Sequence, residues 1–497
     1  MGGVADVQDL LVGELILDGT SHREPADARV EDSDWRVIHS PSLPPRPRRY
    51  ADGVNPTSHP RASTALHTDR YELTMVDAAI EHGTADTECM FEVFARRLPG
   101  ARRYGVVAGT GRLLELIRDF RFDEPELEWL RENDVVTART LDWLANYRFS
   151  GDIWGYREGE AYFPNSPLLV VESGFAEGVM LETLVLSVLN YDSAVANAAT
   201  RMVTAARGRP LAEMGSRRAH EHSAVAAARA AYIAGFDATS NLEAGRTWGI
   251  PTMGTAAHAF TLLHDSEEEA FRAQVASLGA STTLLVDTYD VEEGVRTAVR
   301  VAGTGLGAVR LDSGDLPTLV VEVRELLDSL GAMDTKITVT NDLDEHAIAA
   351  LAASPVDSYG VGTSVVTGSG SPAAGMVYKL VARRGLDGEW ISVAKKSPDK
   401  ISVGGRKYPV RRLNSAQIAV EELIYVGDGP EDDDSGSRSE RPLLVQLVDS
   451  GAIDEQFIGA EGTRRAREHR ATILKELPAD AARLGRGDPT LPTTFSS

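Results

Sequence analysis

From about Pro167 to Gly375, short apolar runs alternate with helical patterns, and the later runs end in polar residues. PLLVVES precedes MLETLVLSVLNYDSAVANAATRMVTAA, and AHEHSAVAAARAAYIAG leads to FDATS. IPTMGT precedes EEEAFRAQVASLG, TTLLVDTYD precedes GVRTAVRVAG, and GAVRLDSGD precedes LVVEVRELLDSLG. KITVTND precedes EHAIAALAAS, and SYGVGTS closes the series. Apolar strands spaced by helices predict a parallel sheet with its working residues at the strand C-terminal ends. Asp287, Arg310, Asp312, Asn341 and Asp342 stand at such ends. A barrel suits the number of units better than an open sheet, although periodicity alone does not prove closure.

The flanks read differently. Residues 1–63 are an extension whose PSLPPRPRRY stretch is too Pro- and charge-rich to bury a core. Residues 64–166 begin with a helix, capped by Thr68 or Asp69, whose apolar face is Leu73, Val76, Ala79 and Ile80. CMFEVFAR then reads as a strand, and GVVAGTGRLLELIRDF as a turn into a helix. That turn is not a dinucleotide loop, because Leu114 stands where the third glycine belongs. Residues 376–480 are strand-rich with a terminal helix, interrupted by an acidic loop near Asp432, and residues 481–497 read as a frayed tail. The fold class expected is an irregular, TIM-like parallel α/β barrel with a second, mixed α+β domain built from the N- and C-terminal segments.

Composition limits the function. The net charge of -23 over 497 residues argues against nonspecific nucleic-acid binding but not against small anionic substrates. A single cysteine, Cys89, excludes an intrachain disulfide. No apolar run reads as a membrane span, and no signal peptide is apparent, so a cytoplasmic protein is expected.

Four constellations carry the chemistry. EMGSRRAHEH offers Arg217 beside Arg218, a fork suited to a carboxylate or phosphate, or else a solvated helix start. Its His220 and His222 are spaced to point apart on a helix, which argues against a metal site. VRLDSGDL places Arg310 and Asp312 on one side of a strand, as a sugar-phosphate grip or a structural ion pair. YGVGTS sets Gly362 and Thr363 after a late strand, as backbone N–H groups free to approach an anion. PTMGTAAHAF carries His258 after a strand-ending Gly-Thr, and LVDTYD puts Asp287 where a carboxylate can fix an imidazole tautomer.

The order and spacing of HTDRYELTM, EMGSRRAH, AGFDATSN, GTAAHAF, VDTYD, RLDSGD, TND and YGVGT resemble the nicotinate phosphoribosyltransferases, a family of type II phosphoribosyltransferases. The likeness covers roughly Ala65 to Arg412. It implies a homodimer with interface active sites, which joins nicotinate to 5-phosphoribosyl-1-pyrophosphate with Mg²⁺ and coupled ATP hydrolysis. It implies that ATP phosphorylates His258 and that Asp287 is its carboxylate partner. Arg217 matches the arginine near the pyridine carboxylate. Tyr71, with Asp69 beside it, matches the aromatic that stacks on the ring from the other subunit. Asp237 resembles the acidic group near the ring substituent. Arg310 and Asp312 match sugar-phosphate contacts, Asn341 and Asp342 lie on the next strand end, and Gly362 and Thr363 resemble the phosphate loop. Met214 departs from the pattern, standing where many members carry a second stacking aromatic. The alternatives are a nicotinamide-using relative on the same fold, a sugar-phosphate aldolase or isomerase, and a noncatalytic sensor of NAD precursors. The absence of a lysine at these strand ends counts against the aldolase.

Overall fold

Six short parallel strands form the sheet that positions the site. Their spatial order is Ala238–Thr239, Leu211–Glu213, Ser358–Val361, Lys336–Val339, Ala308–Leu311 and Thr283–Leu285. A parallel bridge from Thr239 to Thr252 extends the first edge. This is the chain order wrapped into a circle, with the last strand, Ser358–Val361, paired to the first, Leu211–Glu213. An open doubly wound sheet reverses its order at a switch point, whereas a barrel closes last strand onto first. The sheet is therefore a curled, incomplete barrel. Its gap lies between Thr252 and the Thr283–Leu285 strand, where no ladder joins the described residues. The computed structural model describes residues 63–395, 402–427, 429 and 439–496. The expectations for the extension up to residue 62 and for the acidic loop near Asp432 fall outside them.

Helices cover the barrel because their apolar stripes match its outer face. Val295, Ala298, Val320, Val323 and Leu327 pack with Val309, Leu311, Ile337 and Val339 in one buried cluster. The longest helix, Glu182–Ala206, contributes Val195, Ala198, Ala199 and Met202 to the same core. This corrects one expectation. The stretch Phe175–Ala206 is long and apolar enough to cross a membrane, with a mean hydropathy of 1.3 in its most apolar window. Because 67% of that window is buried inside the protein, the apolar character belongs to a core helix.

A seven-stranded antiparallel sheet draws on both ends of the chain. Its order is Trp390–Ser392, Met376–Arg384, Glu88–Ala95, Leu169–Gly174, Asp152–Tyr156, Leu444–Asp449 and Ala452–Ile453. The strand within PLLVVES, Leu169–Gly174, thus pairs here and not in the parallel sheet, although it begins the alternation. A four-stranded mixed sheet is interleaved with it along the C-terminal part of the chain: Glu440–Pro442, Lys407–Leu413, Ala419–Val426 and Thr493–Ser496. The last of these corrects the frayed tail. Thr493–Ser496 pairs parallel with Glu422–Tyr425, and Thr494 Oγ1 donates to Glu421 at 2.9 Å.

Candidate active site

The C-terminal ends of the parallel strands bring the predicted cation and carboxylates together. Arg310 is the next-to-last residue of the Ala308–Leu311 strand and Asp312 follows its end, with Nη2 to Oδ1 at 3.1 Å. Arg310 Nε donates to Thr340 Oγ1 at 2.8 Å, and Thr340 also donates to Asp312 Oδ1. Thr340 rather than Asn341 or Asp342 therefore makes the bonds at this strand end. Asn341 is half-buried, and Asp342 is exposed with a left-handed φ of 32°.

His258 opens the short helix His258–Leu262 at the edge of the barrel gap. Its Nδ1 lies 3.1 Å from Thr288 Oγ1, and its Nε2 lies 3.8 Å from Asp312 Oδ2. The second distance suits an ion pair but is too long for a direct hydrogen bond. The imidazole is 41% exposed, so a substrate can reach it.

Asp287 is placed differently from the expectation that it partners His258. Its Oδ2 accepts from the Asp312 N–H and from Ser313 Oγ, each at 2.7 Å. The neighbouring strand on this side is Ala308–Leu311, so the carboxylate pins the Asp-Ser-Gly turn of that strand while the next residue, Thr288, meets the imidazole. The buried Asp287 Oδ1 has no hydrogen-bond partner among the described residues.

Glu213 and Glu267 are missed by sequence reasoning. Glu213 is fully buried at the end of its strand and accepts from the Gly215 N–H and from Thr239 Oγ1, the latter at 2.6 Å. Burial pushes its carboxyl above the usual range. The bonds turn the chain so that Arg217 emerges exposed, with no ion pair among the described residues. Glu267 follows the His258 helix, and its buried Oε1 has no partner there either. Burial first, then the carboxylates of Glu293, Asp287 and Asp290, push it up to about 7. Nothing in the run Glu267-Glu268-Glu269 marks its first member as different from a solvated helix start.

Glu267 gives a pH prediction. A carboxyl raised in the folded state costs nothing below its unfolded pKa, and its contribution is lost as pH rises through the folded value. Glu267→Gln should therefore gain unfolding free energy over the parent as pH rises from about 5 to about 8, by roughly 1 kcal/mol after solvent screening, read as a rising difference in denaturant midpoint. Identical pH profiles for the two proteins would show that Glu267 carries no such burden.

Gly362 precedes the single turn Thr363–Val366 at the mouth. Met214 lies on the floor beside it: a Cβ on Gly360 would come within 2.7 Å of the methionine sulfur. Only glycine at 360 leaves room for that side chain.

Two predicted groups are not brought to this cluster. Asp237 precedes the start of the Ala238–Thr239 strand, and its Oδ2 accepts from the Leu211 N–H at 3.0 Å. Its Oδ1 pairs with Arg467 at 3.1 Å. It thus stands at the strand beginnings, opposite the mouth, because FDATS puts the acid before the strand rather than after it. Tyr71 and Asp69 stand beside the start of the Glu182–Ala206 helix. Asp69 N–H donates to Thr183 Oγ1 at 3.4 Å, and burial together with Glu182 pushes the Tyr71 phenol above its usual range. The mouth meets the same helix at Tyr191, whose hydroxyl donates to the Val366 carbonyl. Nine residues of helix, about 13 Å, separate the two places.

A sequentially wound parallel barrel with an arginine, carboxylates and an accessible histidine at its mouth defines an α/β-barrel enzyme built for anionic substrates. Residues 66–190 match the N-terminal domain of nicotinate phosphoribosyltransferase (NAPRTase). The chain is 53% identical to nicotinate phosphoribosyltransferase pncB1 of Mycobacterium tuberculosis over 458 residues, covering 90% of this chain and 98% of that one. It is 37% identical to the Bacillus subtilis nicotinate phosphoribosyltransferase, covering 71% and 74%. The crystal structure of human nicotinic acid phosphoribosyltransferase superposes with a TM-score of 0.73 at 25% identity, covering 86% and 97%. The chain belongs to the nicotinate phosphoribosyltransferase family.

Proposed function

We propose that the protein joins nicotinate to 5-phosphoribosyl-1-pyrophosphate in NAD salvage, releasing nicotinate mononucleotide and pyrophosphate, with ATP hydrolysis coupled through His258. The observation that supports this most is the meeting of His258, Asp312 and Arg310 at one barrel mouth, with Arg217 exposed four residues beyond the end of the Leu211–Glu213 strand. The pyridine nitrogen attacks ribose C1 as the bond from C1 to the pyrophosphate oxygen breaks. Nicotinate is a weak nucleophile and the leaving group is a polyanion, so alignment and charge stabilisation carry the catalysis. Arg217, exposed and without an ion pair among the described residues, is assigned to the nicotinate carboxylate. Asp312 is assigned to the ribose, and the N–H groups around Gly362 and Thr363 to phosphate.

In the coupled half-reaction an imidazole nitrogen of His258 attacks the γ-phosphorus of ATP and ADP leaves. Water later cleaves the phosphorus–nitrogen bond, returning the imidazole and inorganic phosphate. Mg²⁺ fits the donor set: Asp287 Oδ1 is buried without a hydrogen-bond partner among the described residues, and Asp312 Oδ2 lies at the same strand ends, 3.8 Å from the His258 imidazole. These two oxygens would hold it, and it would neutralise pyrophosphate charge. A homodimer completes the proposal: Tyr71, on the separate helix Arg70–His82, is 45% exposed and stands beside the start of the long helix, away from the point where that helix meets its own mouth. A cytoplasmic location belongs to the same reading.

The test is turnover of nicotinate and of nicotinamide with phosphoribosyl pyrophosphate, Mg²⁺ and ATP. Replacing a carboxylate by a neutral amide removes a charge-assisted bond worth about 1.5–3 kcal/mol, so nicotinate should be favoured by roughly 10–100-fold in kcat/KM. A preference for nicotinamide overturns the substrate assignment.

A further inference from the structure

Arg310 spends most of its donors inside the protein. A guanidinium has five N–H groups, about one per direction of its planar fork. Here Nε goes to Thr340, Nη1 to Thr255 Oγ1 at 2.9 Å and to the Ala256 carbonyl at 3.4 Å, and Nη2 to Asp312. The side chain is only 14% exposed. An arginine kept for an incoming phosphate presents an open fork. This one ties two strand ends, at Asp312 and Thr340, to the loop at Thr255 and Ala256.

Two of those partners, Thr255 and Ala256, lie just ahead of His258. Among the described residues, the only other hydrogen bond leaving Gly254–Ala257 is a local one, from the Phe260 N–H to the Ala257 carbonyl at 2.9 Å, and none reaches another strand. The nearest anchors are the Met253 N–H to the Thr239 carbonyl on one side and His258 to Thr288 on the other. The segment crosses the gap of the barrel, where no strand ladder holds it. Its placement therefore depends on the Arg310 brace.

We propose that Thr255 is a positioning residue for the coupled reaction: through Arg310 it ties the loop carrying His258 to the Asp312 and Thr340 edge of the sugar site. The proposal rests on the ATP-coupled reading above. The brace links the two half-reactions physically. A phosphoryl group added to His258 brings negative charge toward Asp312, whose Oδ2 lies 3.8 Å from Nε2. Asp312 Oδ1 is held by the same guanidinium that holds the His258 loop. A charge change on the histidine is thus felt at the sugar site through one side chain, and occupancy of the sugar site is felt by the loop. Without Thr255 the loop keeps one long bond to Arg310, and ATP cleavage loses its registration with mononucleotide formation.

The experiment measures ADP formed per nicotinate mononucleotide formed for the parent, Thr255→Val and Thr255→Ser, with a melting temperature for each. Valine keeps the shape and removes the oxygen that accepts from Nη1, while serine keeps the oxygen. The valine variant should still label with ATP but raise the ADP to mononucleotide ratio by about five-fold or more, a small part of the ~100-fold that a 1 Å misplacement can cost. Serine should restore the parental ratio. Thr255→Ala, lacking the same oxygen, should behave as valine does and covers the case in which valine folds poorly. A valine or alanine variant with the parental ratio overturns the proposal. Equal uncoupling by serine also overturns it, since the oxygen is then not the cause. A parent that makes mononucleotide without consuming ATP overturns the coupled reading itself, and this inference with it.

Discussion

Incubated with γ-labelled ATP, the His258→Ala protein is expected to carry no acid-labile phosphate, while the parent carries it on one residue. The same variant should still form nicotinate mononucleotide slowly, and that slow rate should no longer respond to ATP. The two outcomes follow from separate parts of the site. The imidazole proposed as the nucleophile is 41% exposed, and Thr288 Oγ1 meets its Nδ1. The groups assigned to the sugar and pyridine, Asp312 and Arg217, make no hydrogen bond to it and remain in place when it is removed. Losing the ATP-driven step is expected to cost roughly 10²–10³ in rate, the scale of losing one major source of transition-state charge stabilisation. Undiminished labelling of the alanine variant would move the phosphoryl acceptor to another residue. Full ATP-stimulated synthesis without any labelling would remove the covalent step from the cycle.

The barrel was legible because its signal is redundant. Each parallel strand is a short apolar run, each crossover is a helix, and each error in one unit is corrected by the next. The strand ends at Arg310 and Asp312 were legible for the same reason, since alternate residues of a strand share a side. Pairings that depend on the order of strands in space were not. Asp287 and Thr288 are neighbours in sequence, and only the position of the barrel gap decides which one meets His258. Asp237 reads as a site residue, yet it precedes a strand of two residues, so the short strand puts the mouth one residue pair away from it. Burial was equally hidden. Glu267 is written in a polar run and Glu213 just ahead of the polar SRR, and neither spelling shows the burial that other segments impose. The tail strand Thr493–Ser496 needs Ala419–Val426 as its partner, and a four-residue run gives no sign of that alone.

Arg229→Met is expected to destabilise the fold by about 3–5 kcal/mol, the cost of leaving one member of a buried ion pair without the other. Arg229 and Glu158 are 1% and 5% exposed in their side chains and meet through two parallel bonds, Nη1 to Oε1 at 2.5 Å and Nη2 to Oε2 at 2.8 Å. The pair joins distant segments. Glu158 also accepts from the Gly109 and Gly111 N–H groups at the start of the Thr110–Asp119 helix. Arg229 Nε donates to Thr463 of the Gly459–Ile473 helix at 3.1 Å, and its guanidinium lies 5.4 Å over the Trp248 ring. Gly111 allows this approach, since an added Cβ would come within 2.5 Å of Arg229 Nη2. Burial alone would raise the Glu158 carboxyl, but Arg229 and the two backbone donors outweigh it and hold the group below the usual range. Such a depressed carboxyl adds stability above its unfolded pKa and loses it as pH falls through the folded value. Removing Arg229 reverses the balance, so the deficit of Arg229→Met should be greatest near neutral pH and shrink below about pH 4.5, where Glu158 takes a proton. Adding Glu158→Gln should recover part of the loss at neutral pH, because the orphaned charge is gone. Denaturant unfolding of the three proteins at both pH values checks this, and a double variant no more stable than Arg229→Met would show that the loss comes from packing rather than from the unpaired carboxylate.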